Sequence, residues 1–529
     1  MKHRIARVFC ALFAGVLLAG CSVQGGTSGV SIADFGSSGG VNYSGTTSAA
    51  PEPDISVATS SVTLRTGDST SSAPVEATDE AGHHPDEPAR TSAAEMTTSP
   101  QTTGETAKPS TTAGTTSSAT TKAPATTSDT TTSAATTVTT TTTAAAAPEI
   151  TEPDFGSNSY KAVNYSEIKG IWISYIELAE IMQGQSESGF RSSIGAVFDN
   201  CTGLGINTVY VHVRSHSDAY YRSELFPWSR YITGTLGKDP GYDPLEVMLE
   251  EAHRRSLSFQ AWINPLRACS TGQINSYGSS YPVYSFATAN GMKGKYAVDV
   301  NGTYYLNPAY SAVTDLIASG ASEILANYDV DGLHIDDYFY PTTDASFDSS
   351  AYSGSGYSTL SDFRLANCDR MVSGLYNAVR GANPTAVFSV SVQGRIDNNY
   401  NQLYADVRKW CTTPGYLDVM IPQIYYGFEN SAAPYKSTLD EWEALAVRGG
   451  IPLVAGLSVS KVGCEDAWAG SGKYEWINNS DILSRQLAEA KKCRSYGGFA
   501  LYSYRSVFSP ESSVSATVKK EISALKDII

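Results

Sequence analysis

The C-terminal part of the chain alternates between short β-rich runs and amphipathic stretches with helical spacing. The runs, rich in the β-branched and aromatic residues that favour strands, occupy residues 170–176, 206–214, 257–265, 330–338, 386–395, 417–427, 452–460 and 497–505. Amphipathic stretches such as DPLEVMLEEAHRRS and DILSRQLAEAKKCRSYG separate them. Strands that alternate with helices indicate parallel pairing through crossovers. The eight units therefore predict an α/β fold, a (β/α)8 TIM barrel over residues 158–529.

Polar and apolar residues alternate within several of these runs. Because successive side chains of a strand point to opposite faces, His212 and Arg214 share one face of the second run, opposite Val211 and Val213. The apolar faces are expected to pack beneath the helices, which leaves the polar faces inside the barrel mouth, where TIM barrels carry their chemistry. The polar faces of the third and fifth runs carry Gln260, Trp262, Asn264, Ser389, Ser391 and Gln393.

The fourth run, in YDVDGLHIDDYFYP, carries charged and titratable groups where a buried strand would ordinarily have Val or Ile. Two of them, His334 and Asp336, share a face, opposite Leu333 and Ile335. Both are therefore predicted to face a pocket at the mouth. Asp337 is expected to turn away from it or into the following loop.

The N-terminal part of the chain predicts export. A basic start and a short apolar run precede Leu18-Ala19-Gly20-Cys21, which resembles a bacterial lipobox, so residues 1–21 are predicted to be a lipoprotein signal peptide. Lipidation is expected at Cys21, with the protein anchored to the cell membrane and facing the cell wall or exterior. Residues 22–157 are rich in Ser, Thr, Ala and Pro and are predicted to form a disordered linker.

The net charge and the spacing of the cysteines argue against two kinds of binding site. A formal net charge of -16 argues against nucleic acid as a partner held by charge. Beyond Cys10 and Cys21, the six remaining cysteines show no CxxC pairs, so no zinc site is expected. Phosphate-binding loops, HExxH helices and GxSxG elbows are absent from the sequence. No metal or cofactor is predicted.

Several segments resemble the glycosyl-hydrolase-like 10 family. They are KGIWISYIE, the block from GINTVYVHVRSHSDAYY to SFQAWINPLR, YYLNPAY, YDVDGLHIDDYFYP, YADVRKW and LDVMIPQIYYG, and the likeness spans about Lys169 to Tyr504. The resemblance implies a bacterial barrel protein, often a lipoprotein, that hydrolyses glycan strands of the peptidoglycan type. DGLHIDDY also resembles the Asp-Gly-x-Asp-x-Asp-x-Glu motif of chitinase-type barrels, but His334 replaces the middle Asp and Tyr338 stands in place of the catalytic Glu.

Glycoside hydrolysis needs a carboxylic acid that protonates the leaving oxygen and a carboxylate that acts as nucleophile or base. Asp336 is the first candidate for one of these roles. The second carboxylate is predicted to be Asp337 or Asp218, ahead of Asp397 and Glu429 in similar loops.

Sugars present an apolar face edged by hydroxyl groups, so aromatic and planar polar side chains near the strand ends are candidates for substrate binding. Arg214 and Arg267 are further candidates to bind a sugar carboxylate, or to pair with Asp336. The predicted substrate-binding residues are His334, Arg214, Asn264, Arg267, Trp262, Tyr338, Gln393, Gln423, Tyr425 and Tyr502.

The sequence leaves two alternatives to a cell-envelope glycosidase. One is a non-catalytic glycan-binding lipoprotein, because no strand-end glutamate stands out. The other is a hydrolase of a different polysaccharide, such as an α-glucan. In each case the partner is a glycan, reached from a membrane anchor.

Overall fold

The computed structural model describes residues 153–529. The predicted signal segment, Cys21 and the predicted linker up to residue 152 lie outside the described residues. Across residues 153–529, no helix has the length and apolar character needed to span a membrane.

Eight parallel strands close into a barrel in this part of the chain. The described residues contain eleven strands, of which β4, β5 and β6 belong to a second sheet. In chain order they are β1 (Ile168–Ile173), β2 (Thr208–Arg214), β3 (Ser258–Ile263), β4 (Arg267–Ser270), β5 (Ala297–Val300), β6 (Thr303–Leu306), β7 (Gly332–Ile335), β8 (Val387–Val390), β9 (Val419–Met420), β10 (Leu453–Ser458) and β11 (Tyr496–Tyr502). The barrel runs β1-β2-β3-β7-β8-β9-β10-β11, and β11 pairs with β1. The predicted TIM barrel is confirmed, with all eight predicted strands in place.

Helices follow the barrel strands, as the amphipathic stretches predicted. The helix Pro244–His253 begins where Asp243 accepts hydrogen bonds from the backbone N–H groups of Leu245 and Glu246. The helices are Tyr175–Met182, Glu187–Gly203, Arg230–Thr233, Pro244–His253, Pro282–Thr288, Ser311–Asn327, Ser349–Tyr352, Leu360–Ala382, Ile396–Asn401, Val407–Thr412, Tyr435–Gly449, Glu475–Asn478, Ile482–Ala490, Tyr504–Phe508 and Ser515–Lys526.

A small antiparallel sheet, which the sequence analysis missed, lies between β3 and the helix Ser311–Asn327. Its strand order is β4-β6-β5. The β5–β6 hairpin turns at Asn301 and Gly302, whose φ angles are 52° and 86°. An Asn-Gly pair favours such left-handed turns, so the signal for this hairpin was present in the sequence. The sheet starts at Arg267 and thereby fixes a residue of the barrel mouth.

The core has two layers, as the alternation predicted. Val209, Val211 and Leu333 belong to the large cluster between the strands and the helices. A second cluster fills the barrel interior with Trp172, Tyr210, Trp262, Val419, Ile421, Val454 and Ala500. The alternation of each strand therefore separates an apolar outer face from an inner face that also carries polar groups.

Asp331 closes the N-terminal end of the barrel, opposite the mouth. One carboxylate oxygen accepts hydrogen bonds from the Tyr160 hydroxyl (2.8 Å) and the Val163 N–H (2.6 Å). The other contacts His253 Nε2 (3.0 Å) and accepts from the Phe259 N–H (2.7 Å). This carboxylate fastens the segment that precedes β1 to the barrel, so its role is structural.

Candidate active site

His334 lies inside the barrel beneath the mouth. Its Nε2 accepts a hydrogen bond from the Trp172 indole N–H (3.0 Å), and its Nδ1 lies 2.8 Å from Ser389 Oγ. The ring is therefore neutral, with its proton on Nδ1. Burial lowers the pKa of His334 to about 3. Because both nitrogens have protein partners, His334 supports the floor of the site and presents no open nitrogen to a ligand.

His212 orients an amide at the mouth. Its Nδ1 accepts a hydrogen bond from the Tyr175 backbone N–H (3.2 Å), so the proton is on Nε2, which lies 3.2 Å from Asn264 Oδ1. The amide oxygen of Asn264 is thereby occupied. Its Nδ2 is buried and has no hydrogen-bond partner among the described residues. A buried donor without a partner is costly, and Asn264 Nδ2 at the mouth is therefore available to donate to a ligand.

Asp336 and Asp337 lie together at the end of β7. Asp336 is 3% exposed and Asp337 2%. Asp336 Oδ1 accepts the Tyr338 N–H (3.2 Å), while its Oδ2 has no partner among the described residues. Asp337 Oδ1 accepts from Gln423 Nε2 (3.2 Å). Of the two placements predicted for Asp337, the structure has the second, in the loop after the strand, because β7 ends at Ile335 and the alternation of a strand does not continue into these residues.

The surroundings of Asp336 favour its protonated form. The pKa of Asp336 is raised well above its usual range, first by burial and then by the negative charge of Asp337. The Tyr338 N–H, the Trp262 indole and the charge of Arg267 lower this pKa by smaller amounts. The indole acts through its proximity, since its N–H has no partner with hydrogen-bonding geometry. Burial and the neighbouring carboxylate thus favour the protonated form of Asp336.

Arg267 supplies a cation beside the acids. Its guanidinium lies 5.3 Å from the Tyr338 ring centroid and 5.9 Å from that of Tyr175. The stacking on two half-buried rings fixes its position. Arg267 Nε is buried and has no partner among the described residues. The arginine therefore retains hydrogen-bonding capacity beside the acid pair.

Residues that follow β8 and β9, together with β11, form the other side of the mouth. The backbones of Gln393 and Gln423 pair in a parallel β-bridge beyond the ends of β8 and β9, and the Gln423 side chain donates to Asp337. The Tyr425 ring lies 5.9 Å from that of Tyr502, which lies 6.2 Å from Trp172. Burial raises the pKa of Tyr425 well above its usual range, with smaller contributions from Tyr502 and both acids.

Arg214 does not reach this site, contrary to the prediction. The register of β2 on β3 shifts between His212 and Arg214, so that Arg214 pairs with Ile263 on the outer face. Its guanidinium lies 4.4 Å from the centroid of Phe226, and a Cβ at Gly320 would meet Arg214 at 2.7 Å. Arg214 therefore packs under the helix Ser311–Asn327 and pairs with neither a substrate nor Asp336.

Asp218 lines a separate small cavity with His216, Arg230, Tyr231 and Tyr277. Burial raises its pKa to about 6, against smaller opposing effects of Ser229 and Arg230. Arg267 also acts on its pKa, which places the cavity next to the mouth. Asp218 is thus a buried acid beside the site but is not part of the Asp336–Asp337 pair.

Two side chains of the site were not among the predicted site residues. His212 lies on the predicted polar face of its strand, opposite Val211 and Val213, and that position was a signal for a place in the site. Tyr175 directly follows β1, where aromatic residues at strand ends line TIM-barrel mouths. In the described part of the chain, no group of three or more His, Cys, Asp or Glu side chains is placed to hold a metal ion.

A parallel eight-stranded barrel that presents two adjacent buried acids, an unpaired amide donor and several aromatic rings at its C-terminal mouth has the features of a glycoside hydrolase. The chain belongs to the glycosyl hydrolase-like 10 family, whose model matches residues 167–469. The predicted family and the predicted class of enzyme, a glycosidase, are confirmed.

Two relatives with similar sequences agree with this assignment. Glycosyl hydrolase YngK of Bacillus subtilis strain 168 is 30% identical over 349 residues, 61% of this chain and 67% of YngK. Glycosyl hydrolase DigH of Escherichia coli K12 is 31% identical over 290 residues, 50% of this chain and 65% of DigH. The glycoside hydrolase domain of PgaB from Bordetella bronchiseptica aligns over 68% of this chain and 98% of that domain, with 13% identity and a TM-score of 0.46, too distant to bear on function.

Proposed function

We propose that Asp336 is the general acid of this glycosidase and that Asp337 is the charged carboxylate that completes the reaction. The observation that carries the proposal is the pair itself: two adjacent acids, each 3% exposed or less, lie at the mouth of the barrel. Burial and then the neighbouring Asp337 raise the pKa of Asp336, and an acid whose pKa is raised in this way can hold a proton for the leaving oxygen.

The reaction follows from these positions. Asp336 donates its proton to the glycosidic oxygen as the bond to the anomeric carbon breaks. Asp337 stabilises the positive charge that develops on the sugar ring, as nucleophile or by activating water. The Asn264 amide donates a hydrogen bond to a sugar hydroxyl or carbonyl, and His212 keeps that amide turned toward the mouth.

We propose that the substrate is a glycan strand of the peptidoglycan type. Two features support this choice. The sequence resembles a family that hydrolyses such strands, and Arg267 provides a guanidinium with an unpaired buried Nε beside the acids, suited to a sugar carboxylate. Export and lipidation at Cys21 would hold the enzyme at the cell envelope, where this substrate is found.

The full chain should be incubated with denuded peptidoglycan, chitin oligomers and starch, and new reducing ends should be measured. Release from denuded peptidoglycan alone, lost in Asp336→Asn, would support the proposal. Release from starch or chitin but not from peptidoglycan would refute the proposed substrate. No release from any of the glycans would refute the proposed roles of the acids.

A further inference from the structure

Large apolar side chains that reach the solvent are concentrated on one segment, residues 459–478. Trp468 is 47% exposed, Tyr474 45% and Ile477 43%. The other large apolar residues classed as exposed in residues 153–529 are Val163, Ile176 and Tyr357. Two aromatic rings exposed to this degree on one short segment indicate a surface that binds a ligand or another protein.

The segment lies on the same side of the barrel as the acid pair. It begins where β10 ends at Ser458 and leads to the helix Ile482–Ala490, so it is the connection at the C-terminal end of that strand. In TIM barrels the connections after the strands build the substrate site. Trp468 and Tyr474 therefore belong to the face of the molecule that carries Asp336 and Asp337.

Hydrogen bonds link this segment to the chain that continues from the mouth. Gln423, whose side chain donates to Asp337, leads into a loop that contains residues 427–431. The Glu475 carboxylate, next to Tyr474, accepts the N–H groups of Phe428 (3.0 Å) and Glu429 (2.8 Å). The Ser431 N–H donates to the carbonyl of Ala469 (3.0 Å), the residue after Trp468. Both aromatic residues are thus fastened beside a loop that starts at the acid pair.

The segment is held in a fixed conformation. Lys461 Nζ and Asp466 Oδ2 form an ion pair at 2.7 Å, and the Asp466 N–H donates to the Lys473 carbonyl (2.9 Å). A Cβ at Gly472 would lie 2.1 Å from the Glu429 carbonyl oxygen, so the two loops approach as closely as glycine allows. Rings on a pre-organised loop lose little entropy when a ligand binds.

We propose that Trp468 and Tyr474 form an outlying sugar-binding subsite, on which units of the glycan strand stack while another unit is cleaved at Asp336 and Asp337. This inference rests on the proposed function. Pyranose rings have an apolar face, which an exposed aromatic ring can cover, and hydroxyl edges, which polar neighbours can bind. Lys473 supplies such a neighbour, with Nζ 4.5 Å from the Tyr474 ring centroid and 3.1 Å from Glu465.

The test compares short and long substrates in the full chain. Trp468→Ala and Tyr474→Ala should each raise KM about tenfold on long denuded peptidoglycan strands, since covering on the order of 60 Å² of apolar ring corresponds to that change in affinity. Values of kcat should not change, and a peptidoglycan tetrasaccharide should be cleaved as by wild type. Trp468→Phe should retain most of the affinity. Val163→Ala, an exposed apolar residue at the opposite end of the barrel, is the matched control.

The outcomes separate this inference from the proposed function. If wild type cleaves long strands and the aromatic variants show an unchanged KM, the subsite does not exist. An equal loss on tetrasaccharide and long strands would also overturn it, because the rings would then act on the reacting sugars. A change in the sedimentation mass of Trp468→Ala, without a change in KM, would assign the surface to self-association. If wild type cleaves no glycan, the proposed function fails and this inference fails with it.

Discussion

Replacing Asp336 by asparagine is expected to remove nearly all activity while the barrel stays folded. The change is nearly isosteric, and the contact that Oδ1 makes with the Tyr338 N–H at 3.2 Å is one that an amide oxygen also makes. The amide has no acidic proton to donate to the leaving oxygen. A positioned proton donor contributes about 10²–10⁴-fold in rate, which corresponds to about 3–5 kcal/mol of the barrier.

The thermal stability of Asp336→Asn should rise at neutral pH, although its activity falls. Because the pKa of Asp336 is raised in the folded protein, its contribution to stability is present below the ordinary aspartate pKa and is lost as the pH rises. Each unit by which a folded-state pKa exceeds the unfolded one removes about 1.4 kcal/mol of stability at higher pH. Asp336→Asn is therefore expected to melt at a higher temperature than wild type at neutral pH. The difference should shrink in acid.

Asp337→Asn should also lose most turnover, but with a different pH profile. The charge of Asp337 helps to raise the pKa of Asp336, so its removal lowers that pKa. The alkaline limb of any residual activity should then shift to lower pH, because Asp336 loses its proton earlier. Asp397→Asn is the matched control, since the Asp397 side chain is 71% exposed and pairs with Arg408 between two short helices away from the acid pair.

The assay is release of reducing ends across a pH series, with melting temperatures to establish folding. If Asp336→Asn keeps near wild-type turnover while Asp337→Asn is inactive, the two acids exchange roles. If both variants remain active, the catalytic carboxylates lie elsewhere and this pair is structural. A profile of Asp337→Asn that keeps the wild-type alkaline limb would contradict the electrostatic reasoning.

Three further predictions concern other parts of the chain. Asn264→Ala should lower kcat/KM about 10–100-fold, since the amide donor is lost; unchanged kinetics would exclude it from binding. Asp331→Asn should lower the free energy of unfolding by about 2–4 kcal/mol in a urea titration, because a carboxylate with four contacts is replaced, with kcat preserved. Cys21→Ala should release the protein from the membrane fraction, and unchanged retention would contradict the predicted anchor.

Much of the barrel was predictable because its signals are local and periodic. Alternation placed Val209, Val211 and Leu333 under the helices and His212 and Trp262 inward, and the structure agrees. The inner faces carry polar groups, so the alternation is visible wherever the pairing is regular. The antiparallel sheet was not predicted because its strands have only four residues each. The Asn301-Gly302 pair nevertheless favours the hairpin turn that the structure has there.

Arg214 departs from the alternation of inner and outer side chains that its strand otherwise follows. Its position two residues after His212 predicts the same face, and only a register shift against β3 reverses it. A bulge depends on which backbone groups pair across strands, and the spacing of polar and apolar side chains does not predict that pairing. Arg267, which stands beside the acids instead, comes from the loop after β3 and the start of a separate sheet.

The acid pair departs from the alternation for a different reason, because the strand ends before it. Alternation forces neighbours apart only while both are held in a pleated ladder, and β7 ends one residue before Asp336. Beyond that point the backbone is free to bring both carboxyl groups to one side, where Gln423 binds one and the Tyr338 N–H binds the other. Two adjacent acids on a regular strand would be separated by the sheet and could not share one electrostatic environment. Coupling between Asp336 and Asp337 therefore requires the strand to stop at Ile335, so any change that extended β7 by two residues would separate the acids.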